Sequence, residues 1–408
     1  MREVLRWSLL FACSMLLCFI VATAASAEPF KMTSSTQFLW GVDDLDRSQA
    51  ILAQYLRLSY NPENSKIALA GYGRLTDAFD SGAIRENGLQ GRLYYLYLDV
   101  VLPIENTSLR LGRQYVNFSA GSSLMDGATL SVHKLGPVGI TLAGGRDVVF
   151  SLDSEQSRLG NYFVGVDVHL EGIKATQLGI SYVRKYDDWY VAREEFGLNF
   201  RYSYRYLSPY AEVRYDRLSK VFDEATVGVD IFPMSNLMIK GEFYQSFPTF
   251  DSTSIYSVFA VDQYREYLVR AEYSFDNVPL TPFASYARQT YEGSETANNF
   301  IVGTKILPMK NLTVNASFDR RDGYGGKTWG FEVTADYKIN KKFLLAAGVQ
   351  YDAYMRPDQD GNSYARRYWA GGQWILNKNL SLVARIEDDV NESFNNRTLG
   401  RVSLNWNL

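Results

Sequence analysis

Apolar and polar residues alternate with a period of two along this chain, and the pattern repeats from the carboxyl end backward. Val402, Leu404, Trp406 and Leu408 alternate with Arg401, Ser403, Asn405 and Asn407. Leu380, Leu382, Ala384 and Ile386 oppose Ser381, Arg385 and Glu387. Trp329, Phe331, Val333, Ala335, Tyr337 and Ile339 oppose Glu332, Thr334, Asp336 and Lys338; Leu312, Val314, Ala316 and Phe318 oppose Thr313, Asn315, Ser317 and Asp319. Tyr267, Val269, Ala271 and Tyr273 oppose Glu266, Arg270 and Glu272, and Leu237, Ile239 and Phe243 oppose Lys240 and Glu242. Successive side chains of a strand point to opposite faces, so each segment reads as a strand with one apolar and one polar face. Helical periodicity is almost absent.

The connections between these strands alternate in length. Asn61 to Ser65, Pro233 to Asn236, Pro308 to Asn311, Asn340 to Lys342 and Asn377 to Asn379 are tight. Thr76 to Leu89, Phe247 to Gln263, Arg320 to Lys327 and Arg356 to Ser363 are longer. Consecutive hairpins fit up-and-down closure better than the crossovers of a Greek-key sandwich. The expected fold is all-β: a transmembrane up-and-down antiparallel barrel whose apolar face meets lipid and whose polar face lines a lumen. The alternation gives 21 strands between Gln49 and Leu408. A weaker one from Thr36 to Asp43 makes the number even, so the expectation is about 22, within a range of 18–24. Trp40, Tyr60, Tyr204, Trp374 and Trp406 fall near strand ends, as interfacial aromatic girdles do.

Export is consistent with this architecture. Arg2 and Arg6 precede an apolar run from Leu9 to Val21 and an Ala25-Ser26-Ala27 cleavage signature. Residues 1–27 are expected to be a signal peptide and 28–408 a single barrel domain, integral to the outer membrane of a Gram-negative bacterium. Both cysteines, Cys13 and Cys18, would leave with the leader. The remaining 381 residues would then carry neither disulfide nor haem-attachment motif, and the chain itself would bind no cofactor. Their net charge of −4 argues against nucleic acid as a partner. The composition, with 29 Tyr and 14% aromatics, suits a transmembrane barrel.

The inward-facing set expected from the alternation is Tyr55, Arg57, Asp99, Arg110, Glu212, Arg214, Lys240, Glu242, Arg270, Glu272, Arg385, Glu387 and Arg401. Its mixture of signs reads either as a lumen that screens ions or docks a protein, or as neighbouring opposite charges that satisfy one another along the wall. No cluster of one sign is evident of the kind that marks a selective constriction. Arg113-Gln114 is read as ending a strand and Asp126-Gly127 as beginning the next, through hairpin geometry or as a rim contact with a ligand. His133 and His169 are the only two histidines, and both fall just before tight turns at the periplasmic end. No acid–base constellation accompanies them, so the chain is not expected to be an enzyme.

Barrels of about 22 strands are usually plugged. The longest candidates for an inward constriction, Phe247 to Gln263 and Thr76 to Leu89, are short for so wide a lumen. Either the barrel is a moderate porin or something else fills it. The stretches YLRLSYNPEN, GYGRL and GRLYYLYLD within Leu56 to Leu98, and LRLGRQYVNF and SSLMDGATL within Leu109 to Leu130, resemble porin-type barrels of Geobacter-like bacteria. Some of those are the barrel members of porin–cytochrome conduits of the OmbB and MtrB type. The amino-terminal C-x-x-C of the longer Shewanella-type members has no counterpart here. The resemblance implies a barrel that sheathes a multihaem c-type cytochrome, with a surface cytochrome outside, the haem belonging to the partners. Outer-membrane lipid and the barrel-assembly machinery are further expected partners. The alternative function is a diffusion porin for small hydrophilic solutes.

Overall fold

The computed structural model describes residues 29–42, 48–78, 88–150, 155–156, 159–249, 263–355, 363–392 and 394–408, so the expected leader lies outside the described residues. The strands in chain order are β1 (Phe30–Val42), β2 (Ser48–Tyr60), β3 (Ile67–Ala78), β4 (Gly88–Val101), β5 (Thr107–Phe118), β6 (Gly121–Leu135) and β7 (Val138–Asp147). A small pair, β8 (Val149–Phe150) and β9 (Glu155–Gln156), stands outside the main sheet. There follow β10 (Tyr162–Leu170), β11 (Thr176–Asp187), β12 (Tyr190–Tyr202), β13 (Leu207–Asp216), β14 (Val221–Met234), β15 (Leu237–Ser246), β16 (Tyr264–Tyr273) and β17 (Leu280–Tyr291). The last are β18 (Thr296–Met309), β19 (Leu312–Gly323), β20 (Gly326–Lys338), β21 (Phe343–Met355), β22 (Ser363–Ile375), β23 (Leu380–Asn391) and β24 (Phe394–Asn407).

Leaving out β8 and β9, each strand pairs antiparallel with its sequence neighbours, β7 pairs with β10, and β1 pairs with β24. The result is a closed barrel of 22 strands. Closure is what lipid demands, since it leaves no sheet edge with unpaired backbone groups. The first strand is longer than its alternation indicates: it begins at Phe30 and pairs along its length with β2, from Phe30↔Tyr60 to Val42↔Ser48.

The two faces separate as the alternation requires. Leu69, Leu75, Leu111, Leu142, Val168, Ile180, Val227, Val269, Phe300, Val333, Leu345, Tyr368, Ile386 and Leu404 are all exposed on the outer face. On the lipid-facing side of a transmembrane barrel a charged residue at mid-membrane costs about 2–4 kcal/mol, and an apolar outer face of this kind fits that setting. The start of β1 and the end of β24 lie at one end, where Leu408 donates to the Met32 carbonyl and Asn61 to that of Pro29. The tight turns at 61–66, 136–137, 235–236, 310–311 and 339–342 share that end. Trp374 and Trp406 lie on the outer face close to it, and Trp40 near the opposite end.

Two expectations need correction. The connection from Arg320 to Lys327 is not long: β19 and β20 run on to Gly323 and Gly326, leaving a turn at Tyr324–Gly325. Arg113-Gln114 does not end a strand, nor does Asp126-Gly127 begin one; both pairs lie within β5 and β6, which continue to a turn at Ser119–Ala120. Most of the connections 76–89, 247–263 and 356–363 lies outside the described residues.

Candidate functional site: a hairpin folded into the lumen

The β5–β6 hairpin leaves the wall partway up. Pairing of β4 with β5 stops at Leu96↔Arg113, and that of β6 with β7 at Met125↔Asp147, while β5 and β6 remain paired to Phe118↔Gly121. Gly112 turns the chain at this level with φ 123°; a Cβ there would meet the Leu96 carbonyl oxygen at 2.4 Å. A bidentate pair bridges the bend: Arg113 Nε and Nη2 donate to the Asp126 carboxylate at 2.7 and 2.8 Å, and Nη1 donates to the Leu93 carbonyl at 3.2 Å. The Arg113 side chain is only 12% exposed.

Above the bend the hairpin packs on the inner face of the neighbouring wall. Val116, Ala120 and Met125 form a buried cluster with Ala143 of β7, Phe163 of β10 and Val183 of β11, with Phe118 against it. Phe163, Met125 and Val183 are wholly buried, each worth about 1.5–3 kcal/mol on transfer from water. The Ala120 amide donates to Ser181 Oγ at 2.7 Å. Beneath the tip lies Gly197, where a Cβ would come within 2.0 Å of the Ala120 nitrogen, so only glycine admits this approach. The neighbouring Glu195 is 1% exposed and takes an Arg193 Nη1 contact at 3.3 Å. Gln114, also buried, donates to the Gly127 carbonyl and accepts from Thr129.

The register puts every member of the expected inward set on the face opposite the apolar one. Most of its charges meet opposite charges locally. Arg110 Nε lies 2.7 Å from Asp99, Lys240 Nζ 2.8 Å from Glu242, Arg270 3.0 Å from Glu272 and Arg385 2.7 Å from Glu387. Arg214 contacts Asp223 at 3.3 Å and Glu224 at 3.1 Å. Glu212 lies between Asn199 of β12 and Thr226 of β14. Arg401 stands directly opposite Arg385, and Lys240 opposite Arg270, the like-charge pairings in the set.

Tyr55 and Arg57 belong to a patch that sequence reasoning missed. Tyr55 pairs with Arg74 and Arg74 with Arg92, while Arg57 pairs with Tyr72. Three arginines on β2, β3 and β4 are thereby brought together, which corrects the reading that no one-sign cluster exists. The tyrosines thread between them. Tyr72 stacks on Tyr94 at 4.9 Å and on Tyr55 at 6.4 Å, with Arg57 over its ring at 5.1 Å; Arg110 covers Tyr97 at 4.1 Å. Phe150 of β8 reaches the patch, 5.9 Å from Tyr94 and 4.6 Å from the Arg92 guanidinium. The signal in sequence was weak, because each of the three strands carries a single arginine and only the register brings them together.

No family model matches this chain, and no curated protein matches it. Solved structures do. A mutant of the ferric enterobactin receptor (PfeA) from Pseudomonas aeruginosa aligns over 93% of this chain and 80% of its own at 10% identity, with a TM-score of 0.63. The translocation pore of the P pilus usher (PapC) aligns over 92% of this chain and 99% of its own at 10% identity, with a TM-score of 0.55. Pseudomonas aeruginosa OccK5 covers 93% and 98% at 12% identity, with a TM-score of 0.47. At such identities the likeness is one of architecture: this chain has the closed antiparallel fold of large outer-membrane-type barrels.

Proposed function

We propose that this chain is the wall of an outer-membrane conduit whose lumen is occupied by a separate protein, and that the occupant is a multihaem c-type cytochrome. The observation that carries the reading is width without a matching plug among the described residues. Twenty-two strands spaced at about 4.8 Å and tilted about 40° give a circumference of about 140 Å, or about 45 Å between opposite backbones of a circular barrel. Among the described residues, the β5–β6 tip packs against the inner wall as a second layer over one sector, and Phe150 of β8 covers a further point at the arginine–tyrosine patch. A hole of that width would drain the periplasm of small solutes unless filled.

The lining suits a protein guest. Its charges are paired along the wall, leaving a surface of alternating sign on which a partner can find complementary contacts. The cytochrome identity rests on the resemblance of the Leu56–Leu98 and Leu109–Leu130 stretches to conduit barrels. In this reading the chain contributes insulation and position, while electrons pass through haems that it does not carry.

A diffusion porin is the second reading, and one observation favours it. An element folded inward from the wall is how a wide barrel narrows its own lumen, and here the β5–β6 tip does so over β7, β10 and β11. Extraction from native membranes in mild detergent separates the two. A conduit wall brings a protein with covalently bound haem at a fixed ratio. A porin comes out free of haem and gives large, stable, weakly selective conductance in planar bilayers, which would overturn the conduit reading.

A further inference from the structure

The chain's only two histidines, 36 positions apart in sequence, meet at the tight-turn end of the barrel. His133 lies near the end of β6 and His169 near the end of β10, with β7 between them. Their ring centroids are 6.4 Å apart. Glu171, in the turn after β10, stands between them: its Oε1 is 2.7 Å from His133 Nδ1 and 3.1 Å from His169 Nε2. One donor atom from each residue lies within 4.8 Å of the other two. We propose that His133, His169 and Glu171 form a binding site for a borderline divalent cation, of which Zn²⁺ is the best fit.

Three features support a built site over a chance meeting at two turns. The donor set is two imidazoles and a carboxylate, the combination that suits Zn²⁺ and its late first-row neighbours, whereas magnesium and calcium require oxygen ligands. The second nitrogen of His169, Nδ1, lies 2.7 Å from the Asp167 carboxylate. That contact fixes the ring and presents Nε2 to the cation, the carboxylate–histidine arrangement that surrounds metal ligands in general. The backbone also makes room. Gly139 of β7 faces His169 in register, and a Cβ there would come within 2.5 Å of His169 Nε2 and 2.6 Å of Glu171 Oε1. The Lys134 amide donates to the other carboxylate oxygen, Oε2, at 2.6 Å, holding Glu171 in place and leaving Oε1 for the cation. His133 is about half exposed and Glu171 about a fifth, so the cluster is reachable from the mouth of the barrel and a fourth position stays open to water or a partner's side chain.

The test uses the full barrel, folded in detergent and stripped with chelator. Zn²⁺ is titrated calorimetrically, and Co²⁺ serves as a spectroscopic probe whose visible bands report coordination number. One equivalent of Zn²⁺ is expected to bind, and Co²⁺ to show the intense bands of a four-coordinate site with nitrogen ligands. His133→Gln and His169→Gln should each abolish that equivalent. Asp167→Asn, which leaves all three ligands in place, should weaken it about 10–100-fold. The folding control is the unfolding midpoint without metal, which His133→Gln should shift only slightly because that side chain is about half exposed. Failure of wild type to bind one equivalent, or binding that survives both histidine substitutions, overturns the proposal.

Discussion

Two hairpins at the same end of the barrel make opposite choices. Both β5–β6 and β19–β20 close through two-residue turns, at Ser119–Ala120 and Tyr324–Gly325. The second stays in the wall, held on one side by Ala297↔Gly323 and on the other by Lys327↔Met355. The first loses both lateral partners and folds into the lumen. Their inner faces differ accordingly. On β19 that face carries Asp319 and Arg321, and Arg321 donates sideways to Gln289 and the Tyr291 hydroxyl of β17. On β5 it carries Val116 and Phe118, which have no polar tie to make and gain by leaving water. A hairpin with an apolar inner face is more stable packed on a second layer than standing in a wet wall.

The contrast can be broken most directly beneath the tip. Gly197→Val places side-chain atoms where the Ala120 nitrogen now sits, and overpacking against backbone should cost about 3 kcal/mol or more. The tip should leave its seat, and the conductance of the purified barrel should rise. Unchanged conductance would mean that the tip does not obstruct the lumen. Phe163→Ala should cost about 3–5 kcal/mol in equilibrium unfolding, because that ring is wholly buried under the tip. Phe331→Ala, on the outer face of β20 and 38% exposed, should cost clearly less. Equal losses would contradict a second layer over β10.

At the bend, Arg113→Ala removes charged hydrogen bonds to Asp126 from a largely buried side chain and should cost about 1.5–3 kcal/mol. Its counterpart near the other turn, Arg320→Ala, breaks a 3.8 Å contact with Asp322 from a side chain 66% exposed, and should change stability by less than about 0.5 kcal/mol. Similar values for the two would dissolve the distinction between hairpins. The smallest intervention is a cysteine pair, Ala120→Cys with Ser181→Cys, which should cross-link on mild oxidation of the folded barrel. Failure to cross-link, with the barrel otherwise folded, would show that the tip stands away from β11.

The inward fold was partly legible in sequence. In LRLGRQYVNF the apolar phase changes sides: Leu109 and Leu111 face out, Val116 and Phe118 face in, and Gly112 lies between them. A slip of phase inside one strand marks either a bulge or a change in what each face touches. Twenty-one strands and the short turns followed from the alternation, and the twenty-second from the even number that up-and-down closure of such barrels requires, because two faces of different polarity impose the pattern on every segment. The arginine–tyrosine patch and the histidine cluster did not follow. Each depends on which residue of one strand stands beside which residue of the next, and the alternation carries no record of that register. Hairpin length misled at Arg320 to Lys327, where polar residues on both faces look like loop.

The difference between covered and bare wall also bears on what fills the barrel. A photo-reactive side chain placed at Glu242 or Arg385, on bare inner wall, and at Phe163, under the hairpin, can be activated in intact cells. If the lumen holds a cytochrome, the first two positions should capture one haem-staining protein, while the third captures only the chain itself. Bare-wall positions that capture no protein, in membranes where the barrel conducts ions, would contradict the occupied conduit.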